Sequence, residues 1–166
     1  MSWTNLLAER RVAREGVDRA EIERYLALVA SRLADAALEG LSADGRFTAA
    51  YDAARTLAVI AIRACGYRVL VHGGGHKNTF LALRAVPDPR VAGEAAFLDQ
   101  CRRKRNEASY SSPHISRVEA EDLLEKAREF LLSVQDWLER EHPELTARDR
   151  ADAATKAEHG GRPAGV

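Results

Sequence analysis

Phe47 to Cys65 reads FTAAYDAARTLAVIAIRAC. Tyr51, Ala54, Leu57, Ile60, Ala61 and Ala64 recur at the spacing of one face of an α-helix. Val59 and Ile62 fall on the other side, so the C-terminal half of the segment is apolar all round. A helix of that kind lies at the centre of a fold and is covered on several sides. Gly66 then supplies a natural C′ stop.

The segments around it also read as helix. A short N-terminal helix is expected from Thr4 to Arg14, ending near Gly16. Asp18 can cap the next helix, whose Ile22, Leu26, Val29 and Leu33 keep helical spacing until Gly40. A turn at Ser42-Ala43-Asp44-Gly45 leads into the central segment. After it come a loop from Tyr67 to Gly75, a short helix from His76 to Arg84, and a turn at Pro87 and Pro89. One helix is expected from Val91 to Ser109. Ser116 with Glu119 forms a capping box for the last long helix, whose stripe is Leu123, Ala127, Phe130, Leu131, Val134, Trp137 and Leu138. No alternating strand pattern stands out beyond a weak one at Arg68 to Val71. The expected class is all-α: an antiparallel up-and-down four-helix bundle with a short extra helix. Residues 1–143 form its single domain, and 144–166 a polar, mobile tail.

Composition narrows the function. Lys plus Arg number 25 and Asp plus Glu number 25, so no global basic field marks a nucleic-acid binder, and any such binding must come from a local patch. Cys65 and Cys101 have neither metal nor redox spacing and read as buried thiols of a reducing compartment. The segment from Met1 to Arg14 is too polar for a signal peptide, and the longest apolar run, Leu57 to Ile62, is too short to cross a bilayer. A cytoplasmic protein without membrane contact is expected.

One patch answers to the local requirement. Arg102 to His114 reads RRKRNEASYSSPH. Val91, Ala95, Leu98 and Cys101 precede it at spacings of four, three and three, and a further step of four reaches Arg105. A charge on a buried stripe needs a partner or a ligand. Arg105 is therefore aimed at a helix-helix seam or a cleft. Arg102, Arg103 and Lys104 suit the negative pole of a helix dipole, or a basic rim that steers phosphate toward Arg105.

Three patterns together resemble the HEPN domains (higher eukaryotes and prokaryotes nucleotide-binding). They are Tyr51-Asp52-Ala53-Ala54-Arg55 early in a helix, Gly66-Tyr67-Arg68 leading to Gly74-Gly75-His76, and Arg105-Asn106-Glu107-Ala108-Ser109-Tyr110 before a turn and an acidic final helix. The resemblance runs from about Asp18 to Glu141. It implies the bundle fold, a homodimer, and a nucleotidyltransferase-type partner in a toxin-antitoxin or defence module. Ribonuclease members carry Arg, a polar residue and then a His four to six residues beyond the Arg. Here Arg105 and Asn106 match, but Tyr110 stands where that His is expected, and the nearest downstream His is His114.

Metal-independent RNA cleavage needs a base, a donor for the leaving oxygen and a cation for the phosphorane charge. Arg105 fits the last role, and Asn106 can hydrogen-bond a phosphate or a ribose hydroxyl. Tyr110, with an ordinary pKa of about 10, is a poor base but can donate a hydrogen bond or stack on a nucleobase. The candidate nucleotide- or RNA-binding residues are Arg105, Asn106, Tyr110, Arg102, Arg103 and His76. If the protein is an enzyme, it is an endoribonuclease using Arg105, Asn106 and Tyr110. The alternatives are an inward Arg-Asn-Tyr network that braces helices against acids such as Asp52, and a structural dimerisation or adaptor protein. Gly73-Gly74-Gly75-His76-Lys77 lacks the Walker spacing and reads as a loop admitting a close turn. His72 and His76 straddle three glycines and have no acidic or Cys companion, so neither a metal nor another cofactor is expected.

Overall fold

The computed structural model describes residues 1–71, 74–110 and 114–146, with the backbone alone for 108–110. It is mostly helical: α1 (Trp3–Ala8), α2 (Arg19–Ala36), α3 (Ala43–Ala64), α4 (Gly75–Leu83), α5 (Pro89–Gly93), α6 (Ala95–Tyr110), α7 (Arg117–Glu141) and α8 (Pro143–Thr146). Two short strands, β1 (Val12–Arg14) and β2 (Tyr67–Val69), form an antiparallel pair with Val12 opposite Val69 and Arg14 opposite Tyr67.

The helix starts follow local chemistry. Asp18 accepts from the Glu21 N–H at 2.8 Å and Ser42 from the Gly45 N–H at 3.1 Å, each filling an orphan donor of a first turn. Ser116 and Glu119 close the capping box of α7. α3 ends where Gly66 takes φ +83°, a conformation a Cβ disfavours.

α3 is the axis of the fold. It packs against α2, α4, α6, α7 and β2, and its buried positions run from Phe47 to Ala64 on every side. Ile22 and Val29 of α2 and Leu123, Ala127, Phe130, Val134, Trp137 and Leu138 of α7 close the main core around it. Leu6, Val12, Ile62, Tyr67 and Ala82 form a second, smaller core under the strand pair.

Three expectations change. The N-terminal helix does not reach Arg14: α1 stops at Ala8, and Arg10 turns the chain at φ +52° into β1. Pairing with β2 buries Val12 and satisfies backbone groups that a longer helix would have satisfied internally, while Trp3 stacks on Tyr67 at 4.2 Å. The helix expected from Val91 to Ser109 is two pieces that meet at Glu94. Its stripe survives the break, since Val91, Ala95, Leu98 and Cys101 are all buried. Beyond residue 143 the chain stays packed through α8, whose Leu145 is in the core. The remainder of the expected tail, 147–166, lies outside the described residues. Among the described residues no helix is long and apolar enough to cross a membrane.

Candidate functional site

Three helices bring their polar residues together above the core. Arg105 of α6 lies with its guanidinium 5.2 Å from the Tyr51 ring centre and 3.9 Å from the Asp52 carboxylate, both on α3. The Tyr51 hydroxyl and His76 Nδ1, the latter on α4, are 3.1 Å apart. The Tyr51 ring is fully buried, also edge-on to Phe80, so it gives the cation a rigid aromatic seat. The Arg105 side chain is 31% exposed, so the site opens to solvent on its α6 side.

The electrostatics follow from this crowding. Burial pushes the Tyr51 phenol up to about 12, against the opposing pull of Arg55, Arg105 and Arg102. The phenol therefore keeps its proton at any physiological pH. Burial, with help from Arg55 and Arg105, holds His76 below the ordinary histidine range. The direction of the Tyr51–His76 bond follows the imidazole tautomer: with Nδ1 accepting, the ring proton is on Nε2, and with Nδ1–H donating, Nε2 is the basic nitrogen. The site thus combines guanidinium charge with one neutral acid-base group.

The other expected residues fall at different distances from this centre. Arg102 is half-buried and donates to Asp99 at 2.8 Å, and Arg103, 67% exposed, reaches the same carboxylate at 3.0 Å. Both form the rim. Asn106 is exposed at the solvent face of α6. Lys104 turns the other way and is tied to Glu119, whose pKa falls to about 2 through that contact and the capping bonds of Ser116. The side chain of Tyr110 lies outside the described residues, as do His72 and Gly73, while His114 is exposed beyond α6. Among the described residues no three His, Cys, Asp or Glu side chains gather in a way that suits a metal. Burial pushes the thiols of Cys65 and Cys101 up to about 12 and about 11, which makes both poor nucleophiles.

Two arginines of α3 received no role from the sequence. Arg55 stands one turn beyond Tyr51 and perturbs both Tyr51 and His76. Its position four residues after Tyr51 was the available signal. Arg63 is 4% exposed and donates to Glu21 at 2.6 Å and to the carbonyls of Gly16 at 2.6 Å, Glu15 at 3.1 Å and Tyr67 at 3.3 Å. It clamps α3 to the start of α2 and to the strand pair. No protein-family model, curated protein or solved structure matches the chain.

Proposed function

We propose that this protein is a HEPN-like nucleotide- or RNA-binding module whose phosphate contact is Arg105. On this reading the helices form the up-and-down four-helix bundle of that family, with α4 as the extra helix. The observation that carries it is the seating of Arg105: one guanidinium 5.2 Å over the buried Tyr51 ring, flanked by Asp52, and still partly open to solvent. A fork so seated is pre-oriented, and phosphate accepts from such a fork through two charge-assisted bonds. Arg102 and Arg103, half-neutralised by Asp99, form the steering rim. A toxin-antitoxin or defence setting, with a nucleotidyltransferase-type partner, is the corresponding biological role.

The test is retention of short single-stranded RNA and of mononucleotides by the parent, Arg105→Gln and Arg102→Gln. Arg105→Gln should weaken retention by about tenfold or more, the scale of a lost charge-assisted fork. Arg102→Gln should cost less and depend more on salt. Equal losses in both variants would reduce Arg105 to one more rim charge. The module is proposed to act as a homodimer with the α6 helices at the seam; light scattering that stays at monomer mass as concentration rises would exclude this.

A second reading, a metal-independent ribonuclease, draws on the neutral His76 beside Arg105. It asks that imidazole to act as the base in place of the missing downstream His, in the tautomer whose Nδ1–H donates to the Tyr51 hydroxyl and whose Nε2 is free to accept a proton. Single-turnover cleavage of labelled RNA under chelation should be weak or absent, because loss of a positioned acid-base group typically costs about 10²–10⁴ in rate. Robust cleavage that disappears in both Arg105→Gln and His76→Gln would establish the enzyme reading instead.

A further inference from the structure

Behind the Arg105 site, on the other side of Arg55 and His76, a cleft of about 380 Å³ opens between α2, α3, the strand pair and the start of α4. That is within the range of small-molecule sites. Its charges can be counted. Arg55, Arg63 and Arg68 line it together with Glu15 and Glu21. Arg63 is held by Glu21 at 2.6 Å, and Arg68 is paired with Glu15. The remaining guanidinium is that of Arg55. Its Nε is shielded from solvent and has no hydrogen-bond partner among the described residues. A buried donor left in that state costs free energy, and it marks Arg55 as the guanidinium of the cleft whose charge no carboxylate among the described residues has taken up.

The rest of the cleft is of opposite character. Tyr25, Val59, Ile62 and Val69 give it an apolar wall. Beside it α4 begins after Gly74, which is left-handed at φ +103° and supplies no side-chain cap, so among the described residues the first N–H groups of the helix have no capping side chain. Gly75 lines the same cleft. One guanidinium with no carboxylate partner among the described residues, a helix start and an apolar wall match a ligand with one negative charge and an apolar body. A dianionic head would exceed the single uncompensated cation.

We propose that this cleft binds a small organic monocarboxylate with an aromatic or branched apolar body, its carboxylate on Arg55 and its body against Val59 and Val69. The inference is independent of the Arg105 reading: it is decided on carboxylates, whereas that reading is decided on RNA.

The experiment is calorimetric titration of the full chain with 4-phenylbutyrate, its uncharged amide and phenyl phosphate, near pH 7.5, above the ordinary histidine pKa of about 6.5. Saturable binding of the carboxylate is expected, with the amide weaker by about tenfold or more for want of the charge-assisted bond. Phenyl phosphate should bind less well than the carboxylate. Arg55→Gln should bring carboxylate affinity down to that of the amide, and Val59→Phe, which narrows the wall, should remove binding of both. Melting curves check that each variant folds. Amide shift mapping on the parent provides a readout without substitution and should centre on Val59, Val69, Gly75 and Thr79. Absence of saturable binding at millimolar carboxylate, equal affinity for carboxylate and amide, or shifts centred elsewhere would overturn the proposal.

Discussion

Arg63 and Arg105 are both guanidiniums at the end of an apolar helical stripe, yet the structure treats them in opposite ways. Arg63 is 4% exposed, and its donors go to one carboxylate and three backbone carbonyls at 2.6 to 3.3 Å. Arg105 is 31% exposed, lies 3.9 Å from the Asp52 carboxylate, and has its guanidinium 5.2 Å from the Tyr51 ring centre. The first geometry exhausts the hydrogen-bonding capacity of the fork inside the protein. The second sets the guanidinium against an aromatic ring and leaves the side chain partly open to solvent. An apolar stripe therefore does not by itself separate a bracing arginine from a ligand-facing one; the access of solvent to the guanidinium does.

The largest effect should come from Arg63. Arg63→Met removes a buried charge and leaves Glu21 and three carbonyls short of their donor. Glu21 keeps 24% exposure, so the loss should be about 3 kcal/mol, the low end for breaking a buried pair from one side. Urea unfolding should show that loss. Arg105→Gln, at a half-open pair, should change stability by less than about 1 kcal/mol. A large loss in Arg105→Gln, combined with no ligand-induced rise in the parent's melting temperature, would make Arg105 a brace of the same kind as Arg63. A loss below about 1 kcal/mol in Arg63→Met would remove the comparison from the other end.

The same pair shows what could be read from sequence. The stripe from Val91 to Cys101 pointed to Arg105 because its period is regular, and α3 stood out because apolar residues surround its C-terminal half. Arg63 sits within that same apolar half, and the argument applied to Arg105 holds equally for it. Its acceptors, though, are carbonyls of Glu15, Gly16 and Tyr67, and no pattern of side chains announces a carbonyl. The strand pair was legible only as the weak pattern at Arg68 to Val71, which overlaps β2, and β1 was hidden for a related reason. Three residues per strand are too few to display alternation, and the signal lies in the pairing of segments about fifty positions apart. The break at Glu94 was hidden because the stripe passes through it undisturbed. The grouping of Tyr51, Asp52 and His76 around Arg105 needed the α3 and α4 directions, which local periodicity does not supply.

A smaller effect sharpens the electrostatic side of the comparison. His76 has a folded pKa below its unfolded value of about 6.5. Between the two values the unfolded chain binds more protons than the folded one, so stability rises with pH there. As pH falls below about 6.5 the contribution is lost, until pH lies below the folded value as well. The lowered carboxylates lose theirs at more acid pH; that of Glu119 falls away from about 4.5 down to about 2. Unfolding free energies between pH 7.5 and 5 should therefore fall more steeply for the parent than for His76→Gln. Arg105→Gln should also flatten the slope, but only in part, because burial is the larger cause of the His76 shift and Arg55 is the second. A direct reading is the His76 ring titration by NMR, whose midpoint should move up when Arg105 is replaced. An unchanged midpoint would mean that the Arg105 charge is screened from His76, and the shared electrostatic site assigned to α3, α4 and α6 would separate into independent side chains.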